Sequence, residues 1–193
     1  MAKSIALLIL LPLVSLAQPS NWQGLYAPCL NSAELKKSWH MSIGIKYEIC
    51  DQVVGQQFRR AFDFWAKVLD ADFHEEQSTS CAIAIVDATD AVLLHNRAIV
   101  ARAQLPDRLN FQGLIAVDPK ASTYLADDEA IAIWIHEIGL LFGLKHNSSP
   151  ASVMYWLDVD ASRKLDPKDL HTITSLHAVR PVRIGAIPTE ALP

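Results

Sequence analysis

No run of lysine or arginine interrupts the 193 residues, whose formal charge is -4 and whose sequence pI is about 5.9. The electrostatic footprint of a nucleic-acid binder is therefore missing, and no nucleic-acid partner is expected. Long apolar runs are scarce as well. The one that exists lies at the start: Lys3, then Ile5 to Val14, then Ser15-Leu16-Ala17 as a small-residue cleavage site. It is shorter than the roughly 20 residues that span a bilayer and contains Pro12, so it reads as a secretory signal peptide over residues 1–17. A secreted chain beginning near Gln18 is the expectation, with no membrane segment once the signal is removed. What remains, about 175 residues, fits one domain with a sizeable core and suits a monomer. Cysteine is sparse: Cys29, Cys50 and Cys81 are three in number. An odd count in a compartment that permits disulfides leaves at least one unpaired or paired with another chain. No internal repeat is found.

Residues 18–40 show no sustained period and read as an irregular lead-in punctuated by Pro28 and Asn31-Ser32. From Met41 to Ile49, Ile43, Ile45, Tyr47 and Ile49 alternate with Ser42, Gly44, Lys46 and Glu48, the period of a strand. Asp51 can cap a helix carrying Val54, Phe58, Ala61, Phe62, Trp65, Val68 and Leu69 at steps of three and four. Asp72 to Gln77 suits a short strand, and Cys81 to Val86 a strand buried on both faces. The strand-helix-strand order implies parallel pairing through a right-handed crossover. Parallel neighbours would keep Cys50 and Cys81 beyond the roughly 7 Å limit for a disulfide. Ala98 to Leu105 and Phe111 to Val117 read as two more strands, each ended by a proline-aspartate pair.

The second half turns helical. Asp127-Asp128-Glu129 places acids where they cap a helix and favour its dipole. Ile131, Trp134, Ile135, Ile138, Leu141 and Phe142 form its buried stripe, and Gly143 stands where a left-handed residue would end it. Asp166 and Pro167 open a last helix with Leu170, Ile173, Leu176 and His177 on one side. The tail, residues 181–193, reads as loose.

Within this half, I-A-I-W-I-H-E-I-G-L-L-F-G-L-K-H (Ile131 to His146), followed by S-V-M-Y (Ser152 to Tyr155), resembles the zinc helix and methionine turn of the metzincin proteases. Their pattern is H-E-x-x-H-x-x-G-x-x-H. His136, Glu137, Gly143 and His146 occupy its fixed positions, and Leu140 stands where its second histidine belongs. The resemblance narrows to matrixins, the branch of the matrix metalloproteases. L-D-P-K-D-L-H-T-I-T-S-L is similar to the helix closing their domain, and A-R-A-Q-L-P with G-L-I-A-V-D resembles their substrate-side edge strand and its neighbour.

That resemblance implies an α/β, metzincin-like catalytic domain over residues 41–180. Its twisted, mainly parallel sheet would have an antiparallel edge strand, two main helices, a methionine turn and a C-terminal helix. It implies one catalytic zinc on His136 and His146, Glu137 as general base, Gly143 and Met154 as structural support, and hydrolysis of an extended peptide or protein substrate. The substrate would add to an edge strand, Ala98 to Leu105. No counterpart of the family's structural zinc and calcium loops, or of its cysteine-switch propeptide, is found. Two functions stay open: a secreted zinc endopeptidase, and a catalytically inactive metzincin-fold protein, a pseudoenzyme that binds peptides or a protein partner. Cys29 is open to two readings, a disulfide with Cys50 or Cys81 and a thiolate capping the zinc in a latent form. His40, His74, His95, His171 and His177 read as surface or core residues, with a replacement zinc ligand as the alternative.

Overall fold

Alternation sets the first strand, β1 (Met41–Glu48). Ile43 and Ile45 enter the core, while Lys46 and Glu48 pair at the surface at 2.6 Å. The extended Asp51 then caps α1 (Gln52–Val68), its carboxylate accepting the Val53 amide at 2.8 Å. Val54, Phe58, Ala61, Phe62 and Trp65 of α1 are buried on one side. Each large side chain there stabilises the fold by about 1.5 to 3 kcal/mol through the water it sheds. The computed structural model describes residues 40–77, 82–88, 99–104, 113–156 and 162–181. Residues 1–17 expected to form a signal peptide, most of the lead-in, Cys29, Cys81, His95 and the tail beyond Pro181 lie outside them.

Four further strands follow: β2 (Ala71–Glu75), β3 (Ala82–Asp87), β4 (Ala101–Gln104) and β5 (Gly113–Val117). They assemble with β1 into one sheet of order β2-β1-β3-β5-β4. β1 runs parallel to β2 and β3, β3 runs parallel to β5, and β4 closes the edge antiparallel to β5. The expected mainly parallel α/β sheet with an antiparallel edge is present. Register places Ile45 beside Ile83, Ile85 beside Ile115, Ile115 beside Ala103 and Val117 beside Ala101. These residues form the face that joins the helices in one core.

Several strand limits differ from those expected, β3 for instance running on to Asp87 and β1 stopping at Glu48, and β2 and β4 show the reason. β2 begins at Ala71, not Asp72, because Met41 opens the pairing there, and it ends at Glu75, short of Gln77. β4 spans only Ala101–Gln104 within the expected Ala98 to Leu105, since its register with β5 starts opposite Val117.

α2 (Asp127–Leu141) carries the motif. Its acids accept amides at its start, as expected: Asp128 takes that of Glu129 at 2.9 Å. Ala126 holds the cap position, and Asp127, Asp128 and Glu129 fill the first turn. Asp127 is drawn sideways by Gln57 and Arg60 of α1, which leaves Glu129 to accept the Ala126 amide at 3.4 Å. At the far end Gly143 has φ 91, the Gly143 amide reaches the Leu140 carbonyl at 3.1 Å, and the Leu144 amide reaches Gly139 at 3.0 Å. These are the paired bonds of a Schellman stop, and the positive φ is why glycine stands there.

α3 (Pro167–Leu176) begins at Asp166, whose carboxylate accepts the amides of Lys168 and Asp169. Of the side expected to be apolar, Ile173 is buried, whereas Leu170, Leu176 and His177 are half-buried because one short helix covers little of the core. The chain then returns to the start of the sheet. Asp70 donates to Ala178 at 3.0 Å, Arg180 donates to Val68 at 3.0 Å, and the Arg180 guanidinium reaches the Leu69 and Ala71 carbonyls. Cys50 is a free, exposed thiol beside Asp87, which raises its pKa. No helix among the described residues is long and apolar enough to cross a membrane.

Candidate metal centre and catalytic carboxylate

His136 projects from the middle of α2 and is 5% exposed. Its Nδ1 lies 2.8 Å from the Val153 carbonyl. A carbonyl can only accept, so Nδ1 carries the proton and Nε2 is left with its lone pair. Burial, with His146 nearby, holds this imidazole below the ordinary histidine range despite the opposing pull of the Val153 bond. A neutral ring, oriented through one nitrogen and basic at the other, is what a metal ligand requires.

Beyond the Gly143 stop, His146 is exposed and its ring centroid comes within 5.2 Å of that of His136, the planes inclined by 32°. The turn thus brings the two predicted ligands together. Leu140, one helical turn from His136, is half-buried against the core and offers no donor. Among the described residues no group of three His, Cys, Asp or Glu side chains is placed to hold a metal. His40 is held between Asp70 and Asp72, His74 lies 3.4 Å from Ser42 Oγ, and His177 Nε2 donates to Phe142, so none supplies the missing ligand. The donors present fit a metal held by two imidazoles, one protein ligand short of the usual catalytic zinc set.

Glu137 follows His136 and points to the edge strand. Its Oε2 accepts the Ala103 amide at 2.6 Å. The Asp118 amide donates to the Val100 carbonyl at 2.8 Å, so alternate residues of β4 bond to β5 while Ala101 and Ala103 turn their backbone groups to the outer edge of the sheet. Burial pushes the Glu137 carboxyl up to about 7, against the lowering effects of the Ala103 amide and the Arg102 charge. A carboxyl poised there can both accept and return a proton near neutral pH.

Met154 is fully buried beneath the helix. A Cβ on Gly139 would stand 2.8 Å from Met154 Sδ and 3.0 Å from Trp65 Cζ2, so only a glycine admits this approach. The sequence reading passed over Gly139, although a glycine inside a helical period is a recognised sign of close packing. It also missed a polar group under the turn. Asp169 accepts from Asn147 Nδ2 at 2.9 Å, from the Ser152 hydroxyl and from the Asp166 amide at 3.1 Å. Nothing in periodicity marks Asn147 and Ser152 as its partners, 22 and 17 residues earlier in the chain.

A sheet of this order, with the histidine helix and methionine turn beside its antiparallel edge, defines a domain of the metzincin zinc-protease type. The matrixin family model matches residues 36–178, and the chain belongs to that family. No curated protein matches the chain.

Proposed function

We propose that the protein is a secreted, monomeric matrixin-type zinc endopeptidase whose turnover is held low by a two-histidine metal centre. The pairing of His136 and His146, rings 5.2 Å apart, carries this reading, because the Val153 carbonyl occupies Nδ1 of His136 and leaves Nε2 for a metal. Zinc bound there supplies Lewis-acid activation of water and of the scissile carbonyl. His136 and His146 hold it, and Leu140 adds nothing to the shell. Glu137 keeps Oε2 on the Ala103 amide and uses Oε1 to take a proton from the attacking water, then returns it to the leaving amine. The outer edge of β4 orients an extended peptide, whose main chain bonds to Ala101 and to the Ala103 carbonyl, the Ala103 amide staying with Glu137.

A second reading, peptide binding without cleavage, is favoured by the leucine at the position of the pattern's second histidine. Substituting Leu140→His separates the two. It should raise zinc affinity strongly and bring on hydrolysis of an unstructured protein substrate, and adding Glu137→Gln should abolish that hydrolysis. Wild type should turn over far more slowly. Tight zinc without cleavage in Leu140→His would favour the binding reading, and equal cleavage by wild type would overturn the role given to the missing ligand. N-terminal sequencing of the exported protein should find a start near Gln18.

A further inference from the structure

Four of the five arginines among the described residues have a partner inside the domain: Arg59 holds Glu75, Arg60 holds Asp127, Arg180 holds Asp72, and Arg163 lies over the Tyr155 ring. Arg102 is exposed and has no ion pair, hydrogen bond or ring contact among them. It stands on the outermost strand, β4, between Ala101 and Ala103, whose backbone groups face the edge. Those two alanines pack against the core, so Arg102 projects on the opposite face. Across that face its register runs to Ala116 on β5, then Val86 on β3, then Glu48 on β1. Glu48 is three strands away, about 14 Å at the ordinary spacing, and it already holds Lys46. Asp118, two residues beyond Ala116, takes the Tyr124 hydroxyl at 2.7 Å and the Lys120 amide at 2.9 Å. The Arg102 charge nevertheless acts on the Glu137 carboxyl, which sets it beside the cleft.

We propose that Arg102 determines specificity, selecting Asp or Glu at the peptide position that pairs opposite it when a substrate adds antiparallel to β4. The backbone groups of Ala101 and Ala103 face the added strand, whereas those of Arg102 face β5. The peptide residue opposite Arg102 therefore forms a non-hydrogen-bonded pair with it, in which the alpha carbons are about 4.5 Å apart and the side chains lie closest. Both side chains project on the same face. A carboxylate there meets the guanidinium fork in the geometry that suits it, and a lysine there meets like charge. The net charge of -4 works against acidic peptides in general, so the selection belongs to one position and not to overall charge.

The inference rests on the proposed addition of a peptide to β4, and its first test is binding, which needs no turnover. The probes are fluorescent peptides about ten residues long, enough for one strand, with a single Glu, Gln or Lys moved through every position. Titrated into the full mature chain, one position should bind Glu about 1.5- to 5-fold more tightly than Gln, and Lys more weakly than Gln. High salt should shrink that difference. Arg102→Gln should erase the order at that position, and Arg102→Glu should reverse it. Arg59→Gln on α1 serves as control and should leave the order as it is. Peptides that bind with no position favouring Glu would overturn the proposal, as would an order that survives in Arg102→Gln or is lost equally in Arg59→Gln. Cleavage by Leu140→His separates this selection from the peptidase reading beneath it. Cutting with the same order of Glu over Lys supports both, and cutting without regard to charge at every position sinks the selection while the peptidase stands. If neither protein binds or cuts any peptide, addition to β4 falls and the selection falls with it.

Discussion

Half-buried against the core, Leu140 serves packing where a third imidazole would serve a metal. The two demands conflict in one side chain, so exchanging it should move stability and metal affinity in opposite senses. Metal-free Leu140→His should be less stable than wild type by about 1 kcal/mol, the worth of a partly buried aliphatic group. Zinc at a hundredfold excess over its dissociation constant should then add about 2.7 kcal/mol, more than it adds to wild type at the same concentration. Thermal melts with and without zinc measure both effects. Glu137 behaves differently, since its carboxylate already has a partner in the Ala103 amide and stays in place with or without a metal.

The helix α2 and its stop work as a unit. Gly143 turns the chain through φ 91 so that His146 comes back beside His136, and the Schellman bonds from Gly143 and Leu144 hold that reversal. Gly143→Ala should therefore cost about 1 to 2 kcal/mol in denaturant unfolding, the strain of a left-handed alanine. It should also weaken zinc, since the strain is relieved by unwinding the segment that positions His146. Gly139→Ala acts on the other side of the same helix. Its methyl would meet Met154 Sδ and Trp65 Cζ2, so overpacking should cost about 1 to 3 kcal/mol and push α2 off the methionine turn.

For the whole molecule, buried titratable groups give the stability a pH dependence of mixed sign. Burial holds His136 and His177 below the ordinary value of 6.5, so below that pH the unfolded chain binds protons that the folded state refuses. Their contribution is present above pH 6.5 and is lost on acidification. Glu137 opposes them. Raised from 4.5 to about 7, it keeps a proton in the folded state that the unfolded chain has released. Its contribution is therefore present below pH 4.5 and lost as pH rises through about 7. Metal-free Glu137→Gln should consequently lose melting temperature more steeply than wild type between pH 7.5 and pH 5.5, and His177→Gln less steeply.

At that same scale, the elements were legible because each is a local pattern. Alternation marked β1, apolar residues at steps of three and four marked α1 and α2, and Asp166-Pro167 marked the start of α3. The stretch from His136 to His146 named its own helix through its resemblance to the metzincin pattern, which sets the first histidine on a helix and the last beyond its glycine stop. Gly143 could be read as a left-handed stop from its place alone. What lies between elements was not legible. The caps at Ala126 and the limits of β2 and β4 depend on which neighbour wins a hydrogen bond, as Asp127 is taken by Gln57 and Arg60. The Glu137 bond to Ala103 and the Asp169 group under the methionine turn join residues 17 to 34 positions apart. Sequence by itself determined the succession of strands and helices, through short-range periodicity, and its resemblance to the metzincin pattern named the residues that could be ligands. The raised carboxyl of Glu137, the proton on His136 Nδ1 and the bonds of Asn147 and Ser152 to Asp169 were decided only by tertiary structure, since burial and hydrogen-bond partners do not exist until distant segments meet.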